Sequence, residues 1–252
     1  MGKVYLIGAG PGAADLITLR GARLLAQADV VFHDALVQPE LLALAPQAQL
    51  VAVGKRCRQL STDQRFINRA LVEAAQRHAV VVRLKGGDAM LFGRAQEEIS
   101  ALREAGIEYE IVPGVTSALA AAADLGLSLT QRGISRNVVF VTPRVGESEV
   151  ASDWTKAVLA ADTAVLYMAS GQAEEIAAAL MVQGLPGSTP AALISNASLP
   201  HMKKILTTLA QLPQVARDVG SPALIMLGEV LRAQAQQDLL TLQLPNILVA
   251  EK

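Results

Sequence analysis

Gly86, Gly87 and Asp88 stand directly behind the run Val80-Val81-Val82-Arg83-Leu84-Lys85, and Arg94 and Glu97 follow within the next turns of chain. A β-branched run of that kind reads as a buried strand. Ligands of open α/β sheets gather at the carboxyl ends of strands, where backbone groups are exposed. Two glycines at such an end let a ligand lie against the main chain. Asp88 adds a carboxylate suited to a ribose hydroxyl, an amine or a cation. Arg94 and Glu97 fall on one face of a helical pattern, a forked cation suited to carboxylates beside an acid that can orient it. The bland alternatives are a plain strand-to-helix turn and a surface ion pair, and these residues alone do not choose.

A second glycine cluster, Gly8-Ala9-Gly10-Pro11-Gly12, follows the apolar run at residues 4–7. With Asp34 closing the run Val30-Val31-Phe32, it looks like a dinucleotide fingerprint. The details oppose that reading. The spacing is G-x-G-x-G, with Ala13 or Ala14 where a third glycine belongs. Helical periodicity resumes only near Thr18, so no helix amino terminus directly follows the glycines to hold a pyrophosphate. Pro11 also deletes an amide donor. A ligand without phosphates suits the loop better than nicotinamide or flavin. The basic stretch Gly54-Lys55-Arg56-Cys57-Arg58 reads by itself as a solvated turn.

The elements that must position these groups alternate along the chain. Strand-like runs at 4–7, 30–32, 50–53, 80–85 and 109–112 are separated by helical patterns over 18–28, 39–44, 63–77 and 94–105. That order predicts a mostly parallel sheet. Leu19, Ala22, Leu24 and Leu25 make the apolar face of the first helix, and Phe66, Ile67, Ala70, Leu71 and Ala74 that of the third, which Thr62 caps. A connecting segment over 114–136 carries a small-residue helix at 118–123. A second set follows, with strands at 138–142, 163–168, 191–195, 203–207 and 223–227 and helices over 153–160, 172–183 and 209–217. The prediction is an α/β protein of two consecutive domains, 1–113 and 137–252. Met168, closing the run Val165-Leu166-Tyr167, reads as a core gap-filler on its own. The apolar tail over 244–249 has no evident packing partner.

Composition narrows the function. The 252 residues are 52% hydrophobic and 18% charged, the balance of a folded globule rather than a disordered chain. A net charge of −1 offers no general field for nucleic acid. Cys57 is the single cysteine, which leaves no internal disulfide and no thiolate metal cluster. The uncharged stretch over 176–202 is broken by Gly184, Pro186, Gly187, Pro190 and Pro200, so no membrane span is expected there. The start, Met1-Gly2-Lys3-Val4-Tyr5, lacks a signal-peptide layout, and a cytoplasmic protein is expected.

Several landmarks coincide in order and spacing: Gly8-Ala9-Gly10-Pro11-Gly12, Ala28-Asp29-Val30-Val31 through Asp34, and Val53-Gly54-Lys55-Arg56. With them come Arg83-Leu84-Lys85-Gly86-Gly87-Asp88, Phe92-Gly93-Arg94, Val112-Pro113-Gly114-Val115-Thr116-Ser117-Ala118 and Leu166-Tyr167-Met168. Together they resemble the tetrapyrrole methylase family, most closely its branch acting on uroporphyrinogen III, over about residues 3–230. The resemblance implies two α/β domains with a ligand cleft between them, S-adenosylmethionine as methyl donor, no metal, and a homodimer. It implies methylation of uroporphyrinogen III at C2 and C7 to give precorrin-2. Matched motif by motif, Pro11, Gly86, Gly87, Asp88 and Leu91 would bind the cofactor. Thr116, Ser117, Met168, Ala197 and Ala223 would complete that set. Asp34, Arg94, Glu97, Arg132 and Met168 match substrate-side positions. Asp88 lies in a glycine loop, so its removal is expected to weaken cofactor binding and leave the fold intact.

Some positions depart from the family pattern. Ala89-Met90 replaces a frequent Pro-Phe, Ala95-Gln96 a frequent glycine pair, and Leu60, Gln131 and Arg144 fall at or near common histidines. Ala169 stands where glycine is usual. These departures bear on substrate and regiochemistry more than on the methyl donor. A sister precorrin methylase, a dinucleotide-dependent oxidoreductase and a non-catalytic cofactor-binding protein are the competing readings.

Overall fold

The structure, a computed structural model, describes residues 1–54, 64–145, 150 and 152–232. The basic stretch at 55–58, Leu60, the expected cap Thr62 and the tail over 244–249 lie outside the described residues. The chain divides into two compact units, Met1–Ala120 and a second beginning at Ala121.

The first unit contains β1 (Lys3–Gly8), α1 (Leu19–Leu25), β2 (Val30–His33), α2 (Pro39–Leu42), β3 (Gln49–Ala52), α3 (Gln64–Arg77), β4 (Val80–Lys85), α4 (Ala95–Glu104) and β5 (Glu108–Val112). Its sheet runs β3-β2-β4-β1-β5, and every pair is parallel. Helices cover both faces of such a sheet, so its central strands are apolar on both sides. Val4, Leu6 and Val81 pack on one face with Ile67 and Leu71 of α3. Ile7, Val82 and Leu84 pack on the other with Leu25 and Leu41. Thr18 caps α1 by accepting a hydrogen bond from the Gly21 amide at 3.1 Å. Two expected core residues face outward instead: Leu19 is 77% exposed and Phe66 56%. The buried face of α1 is set by Gly21 and Leu25 and that of α3 by Ile67, Leu71, Ala74 and Ala75, and helical spacing turns Leu19 and Phe66 away from those faces.

The boundary between the units falls inside α5 (Ser117–Leu125). Beyond it come β6 (Val138–Val141), α6 (Trp154–Leu159), β7 (Thr163–Leu166), α7 (Ala173–Val182), β8 (Pro190–Ser195), β9 (Lys203–Thr208), α8 (Leu212–Val215) and β10 (Ala223–Gly228). The order is β6-β7-β10-β8-β9, and only β6 and β7 are parallel. The connection over 196–202 is too short for a crossover, so β9 must return antiparallel to β8. Leu166, Ile176, Leu180, Leu193 and Ile225 form the core of this unit. The strand predicted to reach Met168 stops at Leu166, and the helix predicted over 209–217 shrinks to four residues. No helix among the described residues is long and apolar enough to cross a membrane.

At the carboxyl end of the first sheet three chain segments touch through glycine. A Cβ on Gly114 would collide with the Gly87 carbonyl oxygen and lie 2.7 Å from the Gly8 Cα, and one on Gly8 would lie 2.6 Å from the Gly114 Cα. Neither neighbour is a side chain that can swing away. Gly114→Ala is therefore expected to cost about 3 kcal/mol, the upper part of the range for overpacking. A denaturation midpoint within error of the parent would show that the β5 loop can move aside.

Candidate active site

The loops after β1 and β4 are stitched together. Gly87 donates to the Gly10 carbonyl at 2.7 Å, Gly10 donates back to the Gly87 carbonyl at 3.1 Å, and the Ala9 amide reaches the Lys85 carbonyl at 2.7 Å. Gly10 (φ +83°) and Gly87 (φ +69°) occupy the left-handed region that favours glycine. The fingerprint-like glycines thus serve backbone closure rather than a phosphate cradle. Gly86 differs from them. Its φ is not left-handed, and a Cβ there would meet only the Leu36 side chain, at 3.8 Å. Among the described residues none demands glycine at that exposed position, which fits a ligand lying against the main chain.

Asp88 is tied into the same surface. One carboxylate oxygen accepts from the Met90 amide and the other from the Gly114 amide, both at 2.8 Å. The side chain joins the β4 loop to the β5 loop, so the expectation of a fold-neutral removal is corrected. Loss of Asp88 would free the Gly114 amide as well as any ligand contact. Each oxygen retains a second lone pair for a bound hydroxyl or amine. Thr116 and Ser117, half-buried at the start of α5, sit beside this loop, and a Cβ on Gly87 would lie 3.9 Å from the Thr116 Cα. Pro11 and Leu91 are half-buried on the two stitched loops.

Behind the loops lies a cluster of buried charge. Arg83 and Lys85 alternate with apolar residues on β4 and so share a face. They are 4% and 2% exposed, and Glu98 of α4 is fully buried. Glu98 accepts from Arg83 Nε through Oε1 at 2.9 Å and from Lys85 Nζ through Oε2 at 2.8 Å. Arg83 Nη2 continues to Asp34 Oδ1 at 2.6 Å, and Asp34 Oδ2 accepts from the Gly86 amide at 3.2 Å. Lys85 Nζ also donates to the Gly93 carbonyl at 2.5 Å. Burial pulls the Lys85 ammonium below its usual range, helped by the neighbouring Arg83 and opposed by Glu98. Burial works the same way on Arg83, but Asp34 and Glu98 overcome it and hold the guanidinium charged. Glu98 was not singled out from the sequence. The legible signal was two cations in an otherwise apolar central strand, which burial obliges to find an anion.

Arg94 and Glu97 pair directly. Arg94 Nε and Nη2 reach the two Glu97 oxygens at 2.7 and 2.9 Å, a bidentate fork with both residues exposed. Arg94 does not open the helix as the periodicity suggests. It is the residue before α4 and adopts φ +53°, while Phe92 adopts φ +50°.

Four predicted residues belong to the second unit. Met168 lies two residues past β7 with φ +56° and is 46% exposed, so it is not core. Ala197 is buried between left-handed Asn196 and Ser198, and Ala223 opposes Ser195 across β10 and β8. The Asn196 amide reaches the Pro222 carbonyl at 3.3 Å, which brings the Ala197 and Ala223 segments together. Arg132 lies on an exposed turn closed by paired Gln131–Ser135 backbone bonds.

A parallel sheet with glycine-lined loops at its strand ends, followed by a second, mixed sheet, makes an α/β protein with a candidate ligand site at the strand ends of its first sheet. The chain belongs to the tetrapyrrole (corrin/porphyrin) methylases, whose sequence profile matches residues 3–213. It is 44% identical over 236 residues to siroheme synthase 1 of Klebsiella pneumoniae, covering 93% of this chain and 50% of that protein. The chain thus spans about half the length of the siroheme synthases it matches. It is also 44% identical to uroporphyrinogen-III C-methyltransferase of Pseudomonas aeruginosa, over 92% of this chain and 95% of that one. A crystal structure of the Thermus thermophilus uroporphyrin-III C-methyl transferase complexed with S-adenyl homocysteine superposes with a TM-score of 0.82. It is 40% identical and covers 92% of this chain and 100% of that one.

Proposed function

We propose that this chain is an S-adenosylmethionine-dependent C-methyltransferase that methylates uroporphyrinogen III at C2 and C7 to give precorrin-2. The observation that carries the reading is its near end-to-end match to a C-methyltransferase of that substrate. The cofactor assignment draws support from the open backbone at Gly86 and from the relative crystallised with the demethylated cofactor. Gly86, Gly87, Asp88, Pro11, Leu91, Thr116 and Ser117 of the first unit, with Met168, Ala197 and Ala223 of the second, are the residues assigned to hold it. When bound, it supplies an electrophilic methyl group on a sulfonium, and an electron-rich pyrrole carbon supplies the electrons. That chemistry calls on the protein for alignment and electrostatics rather than for a covalent nucleophile.

Arg94 and Arg132 present forked donors to the substrate's carboxylates. Glu97 holds the Arg94 fork in one orientation before substrate arrives, and Asp34 offers a fixed carboxylate at the end of β2. Arg94→Lys keeps the charge and loses the fork. It is expected to lower methylation on the order of ten- to a hundredfold, the equivalent of about 1.5–3 kcal/mol. S-adenosylhomocysteine affinity, read by calorimetry, should stay at the parent value. Normal turnover in the lysine variant would return Arg94 to the role of a surface residue.

The reading is tested by following labelled methyl from S-adenosylmethionine into uroporphyrinogen III. Methylation of a later precorrin instead would assign the chain to a sister enzyme. Tight binding of NADH in place of S-adenosylhomocysteine would point to an oxidoreductase. The same proposal takes the enzyme as a cytoplasmic homodimer, for which sedimentation should give twice the 26.5 kDa chain mass.

A further inference from the structure

We infer that Lys85 and Glu98, which no match to the family motifs had marked as site residues, are positioning residues that hold the Gly93–Arg94 turn for methyl transfer. The inference rests on the proposed function and names how that site is kept in place. Two cations and an anion buried this completely are a poor choice for stability alone, because apolar side chains of similar volume commonly do as well or better. The network's geometry suggests what it serves. Glu98 grips Arg83 with one oxygen and Lys85 with the other. From there each cation runs outward to one candidate site element. Arg83 ends on Asp34, whose side chain is 31% exposed. Lys85 ends on the carbonyl of Gly93, whose position leaves its own Cβ-equivalent only 3.0 Å from Lys85 Cε.

That carbonyl lies between two non-glycine residues in the left-handed region, Phe92 and Arg94. Such a turn persists only where its surroundings over-determine it. Lys85 clamps it from below while Glu97 fixes the Arg94 side chain from the front. Without the clamp, the Arg94 backbone is free to leave φ +53° for an ordinary helical conformation, and the guanidinium would then point elsewhere.

Removing Lys85 alone risks unfolding, so the test uses the charge-balanced pair Lys85→Met with Glu98→Gln. Glutamine keeps an oxygen for Arg83, and methionine keeps the length of the lysine stem. The pair variant is expected to melt as a cooperative folded protein and to bind S-adenosylhomocysteine within about threefold of the parent. Single-turnover methylation should fall at least tenfold. The same pair placed in an Arg94→Ala background should lower the residual rate less than twofold, because a residue acting through Arg94 has nothing left to position. Equal losses in both backgrounds would overturn the inference and make the network merely structural, as would full activity in the pair variant. Absence of turnover in the parent protein would instead remove the methyltransferase reading, and this inference with it.

Discussion

Replacing Glu98 by alanine should destabilise the first unit by about 3–5 kcal/mol, the usual consequence of deleting one partner from a buried ion pair. Glu98 is the anion shared by Arg83 and Lys85, all three within the β4–α4 layer. Arg83 would still have Asp34 at 2.6 Å, but among the described residues Lys85 would keep only the Gly93 carbonyl. An ammonium held in that position is stranded, and the protein relieves the cost by releasing its proton. The sign of the pH dependence follows. Lys85 already titrates below its usual range in the folded protein, chiefly through burial, and losing Glu98 lowers it further. The folded variant then binds fewer protons than the unfolded chain, so its stability rises with pH toward the ordinary lysine value of about 10.4. Urea midpoints measured across that range should show the defect shrinking as pH increases. A loss under about 1 kcal/mol, independent of pH, would mean that water reaches the cluster and that the charges are effectively solvated.

This cluster also marks the limit of what a chain read in one dimension can disclose. The run Val80 to Lys85 and its Gly-Gly-Asp stop are local signals, and the parallel first sheet follows from strands separated by helices. The partner of Arg83 and Lys85 is not local. It sits on the next helix, beside Glu97, and nothing in sequence separates the buried glutamate from the exposed one except the face each presents. The glycines of the first loop mislead for a related reason. Gly8 and Gly10 have the spacing of a ligand loop, yet Gly8 is held to glycine by the distant backbone of Gly114 and Gly87, and Gly10 by its own left-handed φ of +83° beside the Leu16 carbonyl. In the second unit, strand order depends on which short connections can cross over, and the antiparallel returns of β9 and β10 are not written in any one motif. The candidate site residues were reached mainly through the order of family motifs. The structure adds the contacts that join Asp34 to Gly86, Asp88 to Gly114 and Arg94 to Glu97.

Met168→Ala should leave stability nearly unchanged and lower methylation about a hundredfold. A core methionine would behave oppositely, losing roughly 2–5 kcal/mol on truncation with activity intact in the folded fraction. The side chain here is 46% exposed, its residue lies beyond the end of β7, and it holds φ +56°. Exposed positions of this kind tolerate truncation within about 0.5 kcal/mol. Core packing therefore does not account for methionine at 168. Under the proposed reading its main chain touches the cofactor and its thioether bears on the tetrapyrrole. Truncation would therefore spare S-adenosylhomocysteine affinity while letting the reacting carbon drift. A misplacement of about 1 Å is enough for a loss on the order of a hundredfold. Met168→Leu separates shape from sulfur: it restores most of the volume and should recover most of the rate, because packing rather than thioether chemistry is at work. Melting curves, calorimetry and single-turnover methylation on the same preparations decide the matter. An alanine variant that melts like the parent and methylates at the parent rate would take Met168 off the substrate surface.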